Sequence, residues 1–299
     1  MALQKEVWVK DIADNLFKTQ EFIMRSVNHS TFVSDAIVHL PQAGAAPTVV
    51  KNRSTFPATI TERTDTEKTY SLANFSTDPI RLRNLDEIQT SYAKRQSILG
   101  EHVEKLNESI GDETANAWGV DTAARVVKTT GSAVATALAP SATGTRNALD
   151  KADIRSAAQI LDNDNGVPSG NRYGLMQTDM FYQLFSDTTV LSRDFMERSS
   201  QEAGVITQLF GVNFLIRPSV NVYSAAFALK AVGAAAAATD MIGCVIWQQS
   251  FVSNAKGDIR VYANENVAEH YGSVFSAEVE HGASLLRTDE KGVVAIVQQ

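Results

Sequence analysis

The sequence predicts an α+β protein, and three stretches carry that expectation. Residues 84–118 hold one long helical periodicity, while the last fifty residues alternate apolar and polar side chains as strands do. Between them and the N-terminus, VVKNRSTFPATITERTDTEKTYSLANFS (49–76) is rich in threonine and β-branched residues, the composition of extended chain. The 299 residues can bury a sizeable core, and 44% hydrophobic with 20% charged residues excludes wholesale disorder.

The first forty residues read as an arm with helical pieces, in which Val7, Ile12, Leu16, Phe17 and Phe22 fall roughly on one face. PQAGAAPT (41–48) is a flexible joint. Next comes a long hairpin whose middle, TERTDTEKT (61–69), has charges of both signs and no apolar face. It is expected to form the projecting tip and to find its partners outside its own domain, because paired signs suit a complementary surface. The candidate contact residues are Lys51, Arg53, Glu62, Arg63, Asp65, Glu67 and Lys68, with Arg81 and Arg83 just beyond.

For the long helix, Asn84 and Glu87 make an N-cap and capping partner. Ile88, Tyr92, Leu99, Val103, Leu106, Ile110 and Ala117 mark its apolar face, and Trp118-Gly119 its end. The rod would be roughly 50 Å long. Gly100 and Gly111 each cost it about 1 kcal/mol relative to alanine and are expected to bend or fray it.

Residues 121–150 read as a soft loop. A helix is expected at Lys151–Asp162, with Ile154, Ala157, Ala158 and Leu161 on its apolar face. The turn GVPSGNR (166–172) leads into a strand at Tyr173–Met176 and a helix from Asp179 carrying Met180, Phe181, Leu184 and Phe185. LFGVNFLIRPSVNV (209–222) is a strand ended by Arg217-Pro218, SAAFALKAVGAAAA a helix, and MIGCVIWQ a buried strand. GDIRVYANEN and VFSAEVEH alternate as strands, and LLRT-DEKG-VVAIV reads as a hairpin.

Charge and motifs narrow the function. With 27 basic against 34 acidic residues the net charge is −7, so a dedicated nucleic-acid face is not expected. The single cysteine, Cys244, allows no intramolecular disulfide and sits in an apolar run, so it reads as core. The N-terminus lacks a signal-peptide pattern, and Ala225–Trp247 is too weak for a membrane span. His29, His39, His102, His270 and His281 show no metal-ligand spacing, and no phosphate-cradling loop is present. GVPSG misplaces its serine for a nucleophile elbow. Glu269-His270, with Asp258 and Glu265, is the densest acid–imidazole group and reads as a solvated strand end. No cofactor is expected.

The order of elements resembles the tailed-bacteriophage major capsid protein family, the Hong Kong 97 fold. The elements that match are the N-terminal arm, the extended loop, the long spine helix, an α/β centre marked by a turn (Pro168, Gly170, Arg172), the Gly204–Gly211 element leading to Val212–Ile216, and the closing strands. The resemblance implies an arm at 1–40, an extended loop at 41–80, a peripheral domain at 81–120 and 246–299, and an axial domain at 121–245. It implies a non-enzymatic shell subunit of the virion, assembled in the host cytoplasm into hexamers and pentamers that enclose phage DNA. Its partners would be copies of itself, a separate scaffolding protein, a portal and decoration proteins, with only non-specific contact to DNA and none to membrane. The alternatives are an encapsulin-type nanocompartment shell, a phage tail or fibre component, and a soluble α/β hydrolase using Glu269 and His270.

Overall fold

The computed structural model describes residues 18, 20–34, 36–83, 94–134, 137–184 and 208–299. After a 3-10 turn at Glu21–Arg25 come β1 (Val27–Asn28), β2 (Val33–Ser34), β3 (Ile37–Gln42), β4 (Thr66–Ser71), β5 (Ala73–Ser76) and β6 (Ile80–Arg83). The chain then forms α1 (Lys94–Ala117), β7 (Val126–Lys128), β8 (Ala133–Val134), β9 (Arg146–Asn147), α2 (Lys151–Asn163), β10 (Arg172–Gln177) and α3 (Thr178–Gln183). The remainder is all strand: β11 (Gln208–Leu209), β12 (Val212–Arg217), β13 (Asn221–Tyr223), β14 (Met241–Gln248), β15 (Val252–Lys256), β16 (Arg260–Val267), β17 (Gly272–Leu285) and β18 (Val293–Val297).

A seven-stranded mixed sheet in the order β11-β12-β10-β14-β18-β7, with β13 also on β14, forms one half of the body. Every residue of β14 and β18 is buried, which is why neither alternates with polar residues. Successive side chains leave a strand on opposite faces. Ile242, Cys244 and Ile246 therefore join Val294 and Ile296 beneath α2, against Ile154, Ala157 and Leu161. Val245 and Trp247 point the other way, with Val293, Ala295 and Val297, and meet Trp118 and Phe22. Asp150 and Asp153 form the capping box that starts α2, worth about 1 kcal/mol.

The second half is a six-stranded sheet built on β17, which pairs along its length with β16, β15, β5 and β6. Phe275, Ala277, Val279 and His281 are its buried alternate positions. Leu106 and Ile110 of α1 pack on Ala277 and Val279. The buried stripe of α1 is His102, Leu106, Ile110 and Thr114, one every fourth residue, then Trp118. It shares Leu106 and Ile110 with the expected face, while Leu99, Val103 and Ala117 are only half-buried. Two polar residues occupy the rest of the stripe, so hydropathy located only its apolar members. Asn84, Glu87, Ile88 and Tyr92, like Phe185, lie outside the described residues.

The helix runs on through Gly100 and Gly111. At Gly111 a Cβ would come within 2.8 Å of Arg217 Nη2 and 3.0 Å of Gln20 Cγ, so glycine is there for a close approach. Arg217 leaves the end of β12 fully buried and reaches Asp112 of α1 at 2.6 Å, and Lys18 holds the same carboxylate at 3.1 Å. This node, with Phe22 seated edge-on to Trp118 and Trp247, fastens residues 18–25 and the spine helix to the larger sheet.

Three expectations are corrected. SAAFALKAVGAAAA is not a helix but a chain of turns, with Phe227 at φ +61 and the Lys230 ammonium tied to Asp240 and to the Ala235 carbonyl. Most of residues 231–239 are exposed, so alanine propensity had no apolar face to add packing to. Residues 121–150 are not all loop, since Val126–Lys128 pairs in parallel with β18. LLRTDEKGVVAIV is not a hairpin: β17 ends in the six-stranded sheet, while the wholly apolar Val293–Val297 enters the seven-stranded one beside β14. Among the described residues no helix is long and apolar enough to cross a membrane.

Candidate functional site

Among the described residues the longest unbroken run of exposed positions lies in the loop of residues 43–65. It is carried by a stem in which β3 and β4 pair antiparallel, from Ile37↔Ser71 to Gln42↔Thr66. One face of the stem, Val38, Leu40 and Tyr70, closes on Ala255 and Leu286, which fixes the base of the loop to the smaller sheet. The Gln42 side-chain amide donates to the Leu286 carbonyl at 2.7 Å, and Lys68 Nζ donates to the Arg287 carbonyl at 3.2 Å. Beyond the stem the two limbs stay close at Gly44, where a Cβ would lie 2.2 Å from the Thr64 carbonyl oxygen.

From Ala45 to Glu67 every residue is exposed. Val49 is 91%, Phe56 76% and Ile60 92% exposed, so three large apolar side chains stand in water on one segment. That is unusual for a surface with nothing to cover.

Four of the charged residues also have partners within the subunit. Arg63 grips both oxygens of Asp65, at 2.6 and 2.7 Å, and the Gly44 amide donates to the same carboxylate at 2.9 Å. The Arg63 guanidinium first, and the Gly44 amide second, hold the Asp65 carboxyl below its usual range. His39 pairs with Glu67 across the stem. Burial lowers the Lys68 ammonium, partly offset by Glu290 and Asp289. Asp289 itself is drawn down to about 2, chiefly by Arg287. Glu67 and Lys68 belong to strand β4 and not to the loop that β3 and β4 carry. Lys51, Arg53 and Glu62 make no ion pair among the described residues. Arg81 and Arg83 lie on β6 of the smaller sheet, where Arg81 donates to the His270 carbonyl at 3.3 Å.

Pro168, Gly170 and Arg172 sit together at one end of the larger sheet. Arg172 is buried, donates through Nε to the Pro168 carbonyl at 3.2 Å and pairs with Asp162 at 2.7 Å, while Gln248 donates to the Gly170 carbonyl at 3.4 Å. The guanidinium thus ties the turn to the end of α2.

The catalytic candidates do not converge. Glu269 and His270 are exposed in the turn between β16 and β17, and Asp258 and Ser169 are exposed elsewhere. Cys244 is fully buried, and its thiol is pushed up to about 12 by burial, so no thiolate forms near neutrality. Among the described residues no three His, Cys, Asp or Glu side chains group as a metal site. Sequence reasoning missed the Lys18–Asp112–Arg217 node and the Phe22–Trp118–Trp247 cluster, whose members lie about a hundred residues or more apart.

The chain over residues 27–298 matches the family model described as phage capsid protein. The chain belongs to the phage capsid protein family. No curated protein matches it. Among solved structures it is similar to the capsid of cyanophage P-SCSP1u, with a TM-score of 0.74 and 18% identity, over 99% of this chain and 92% of that one. Similarity to Mycobacterium phage Che8 (TM-score 0.68, 16% identity) covers 99% and 98% of the two chains. The capsid of a native GTA particle matches at TM-score 0.69 and 11% identity, over 99% and 95%. These likenesses establish the Hong Kong 97-type fold, and family membership makes the chain a capsid protein of the virion shell, built by self-association.

Proposed function

We propose that this capsid protein tiles an icosahedral head by forming hexamers and pentamers, and that residues 43–65 are laid across the neighbouring subunit. The observation that carries the reading is the exposure of Val49, Phe56 and Ile60 on a loop with a rigid stem. Burying a large apolar side chain is worth roughly 1.5–3 kcal/mol, so one loop supplies a modest contact that repetition over a closed shell multiplies. Head-to-tail contacts of this kind close into rings.

Lys51, Arg53 and Glu62 supply the polar rim of that contact, and Arg63, Asp65, Glu67 and Lys68 rigidify its base. Arg81 and Arg83 belong to the receiving surface. The arm comprises residues 1–40, the extended loop 41–80, the peripheral part 81–120 and 246–299, and the axial part 121–245. The subunit is structural and not an enzyme, assembles in the host cytoplasm with a separate scaffolding protein, and meets portal and decoration proteins in the head. Its net charge of −7 suits a wall that touches packaged DNA only non-specifically.

Electron microscopy of the purified protein, with its mass by light scattering and with or without a co-expressed scaffold, tests this. Shells, tubes, hexamers or pentamers are expected. A monomer that never assembles under either condition would sink the reading.

A further inference from the structure

Between α1, β15, β17 and residues 20–28 lies a cavity of about 410 Å³. Its wall includes Lys256, His281, Asn107, Asn254 and Asn28, and no carboxylate. The Lys256 ammonium donates to Asn107 Oδ1 at 3.0 Å and forms no ion pair among the described residues, which leaves two of its N–H groups for a ligand. His281 is 2% exposed, with Nε2 3.5 Å from the Thr114 hydroxyl oxygen. The Thr114 hydroxyl proton is given to the Ile110 carbonyl at 2.7 Å, so towards His281 its oxygen is an acceptor and supplies no counter-charge.

The side-chain amide donors of Asn107 and Asn28 have no acceptor among the described residues. Burial alone lowers the Lys256 ammonium, and burial followed by the Lys256 charge pushes His281 down to about 4. No carboxylate acts to raise either group. A cation drawn partly out of water without a counter-charge is unfavourable, and here it shares a hollow with a second basic side chain.

We infer that this cavity is a binding site for one small oxyanion of phosphate or carboxylate chemistry, held by Lys256 Nζ and the amides of Asn107 and Asn28. Donors spread around the wall suit an anion with several oxygens better than a monatomic one. The oxyanion can come from free phosphate or from an acidic side chain presented by another copy of the chain, and the two sources are separable.

The test is calorimetric titration of inorganic phosphate, and separately of glutarate, onto the unassembled full-length chain at constant ionic strength, with chloride as reference. Phosphate binding assigns the site to the free ion, and glutarate binding without phosphate binding assigns it to a carboxylate. Lys256→Met is expected to weaken binding about tenfold or more, and Lys291→Met, on the surface elsewhere, to leave it unchanged. Asn107→Asp places a counter-charge in the wall, so it should raise the melting temperature in chloride and abolish the response to either probe. It decides the matter even if Lys256→Met does not fold. Absence of binding above chloride for both probes, or binding retained in Lys256→Met or Asn107→Asp, overturns the site.

Discussion

Val293–Val297 and the segment carrying Val49, Phe56 and Ile60 are built from similar residues and meet opposite fates. The first is buried at every position between two partner strands, and the second stands in water on a stem. The sheet strand stabilises the subunit. Val49, Phe56 and Ile60 bury little against the subunit that carries them, so these apolar groups gain only when something else covers them. If the loop is the intersubunit contact proposed above, substitutions should separate stability from assembly.

The largest expected effect is on assembly. Phe56→Asp with Ile60→Asp should leave the melting temperature of the subunit nearly unchanged while shells disappear from micrographs, because every copy carries the lesion. If shells form at normal yield, the apolar loop is not the contact. Trp247→Ala does the converse: removing a buried ring from the cluster with Trp118 and Phe22 should cost about 3–5 kcal/mol in denaturant unfolding. Assembly would then fall only because folded subunit is scarce.

The next effect comes from acid. His281 binds a proton in the folded state only near pH 4, whereas the unfolded side chain does so near 6.5. The unfolded state thus holds more protons between those values, and stability present above about pH 6.5 is lost as pH falls, by about 3 kcal/mol at pH 4. Melting curves of the wild type and of His281→Gln between pH 7 and 4.5 check this, the variant being expected to show a shallower decline.

The smallest effect is expected from Arg63→Glu with Lys68→Glu. Both side chains are at least half exposed or bonded to their own subunit, so stability should change by at most about 1 kcal/mol. Shell yield should drop less than with Phe56→Asp and Ile60→Asp. A complete block would show that charge, and not apolar burial, holds the contact together.

Local features were legible in the order of residues. α2 and its face, the strand Arg172–Gln177 after its glycine-marked turn, and the unbroken apolar run of β14 all follow from periodicity and turn chemistry, which act over a few residues. The projecting loop was legible too, as a segment with no face to bury. The partners of its charged residues were not, because Asp65 and Glu67 look unpaired until Gly44 and β3 are brought alongside.

What the sequence determined by itself is the α+β class, the order of its parts and the absence of a recognised catalytic motif. Only tertiary structure decided that VVAIV joins β14 and not β17, that the buried stripe of α1 runs through His102 and Thr114, and that Arg217 closes on Asp112 from 105 residues away. Each of these is a choice between partners distant in sequence. A run of apolar residues states that it will be buried, and burial is non-directional, so the partner is set by which surfaces the whole chain brings within reach.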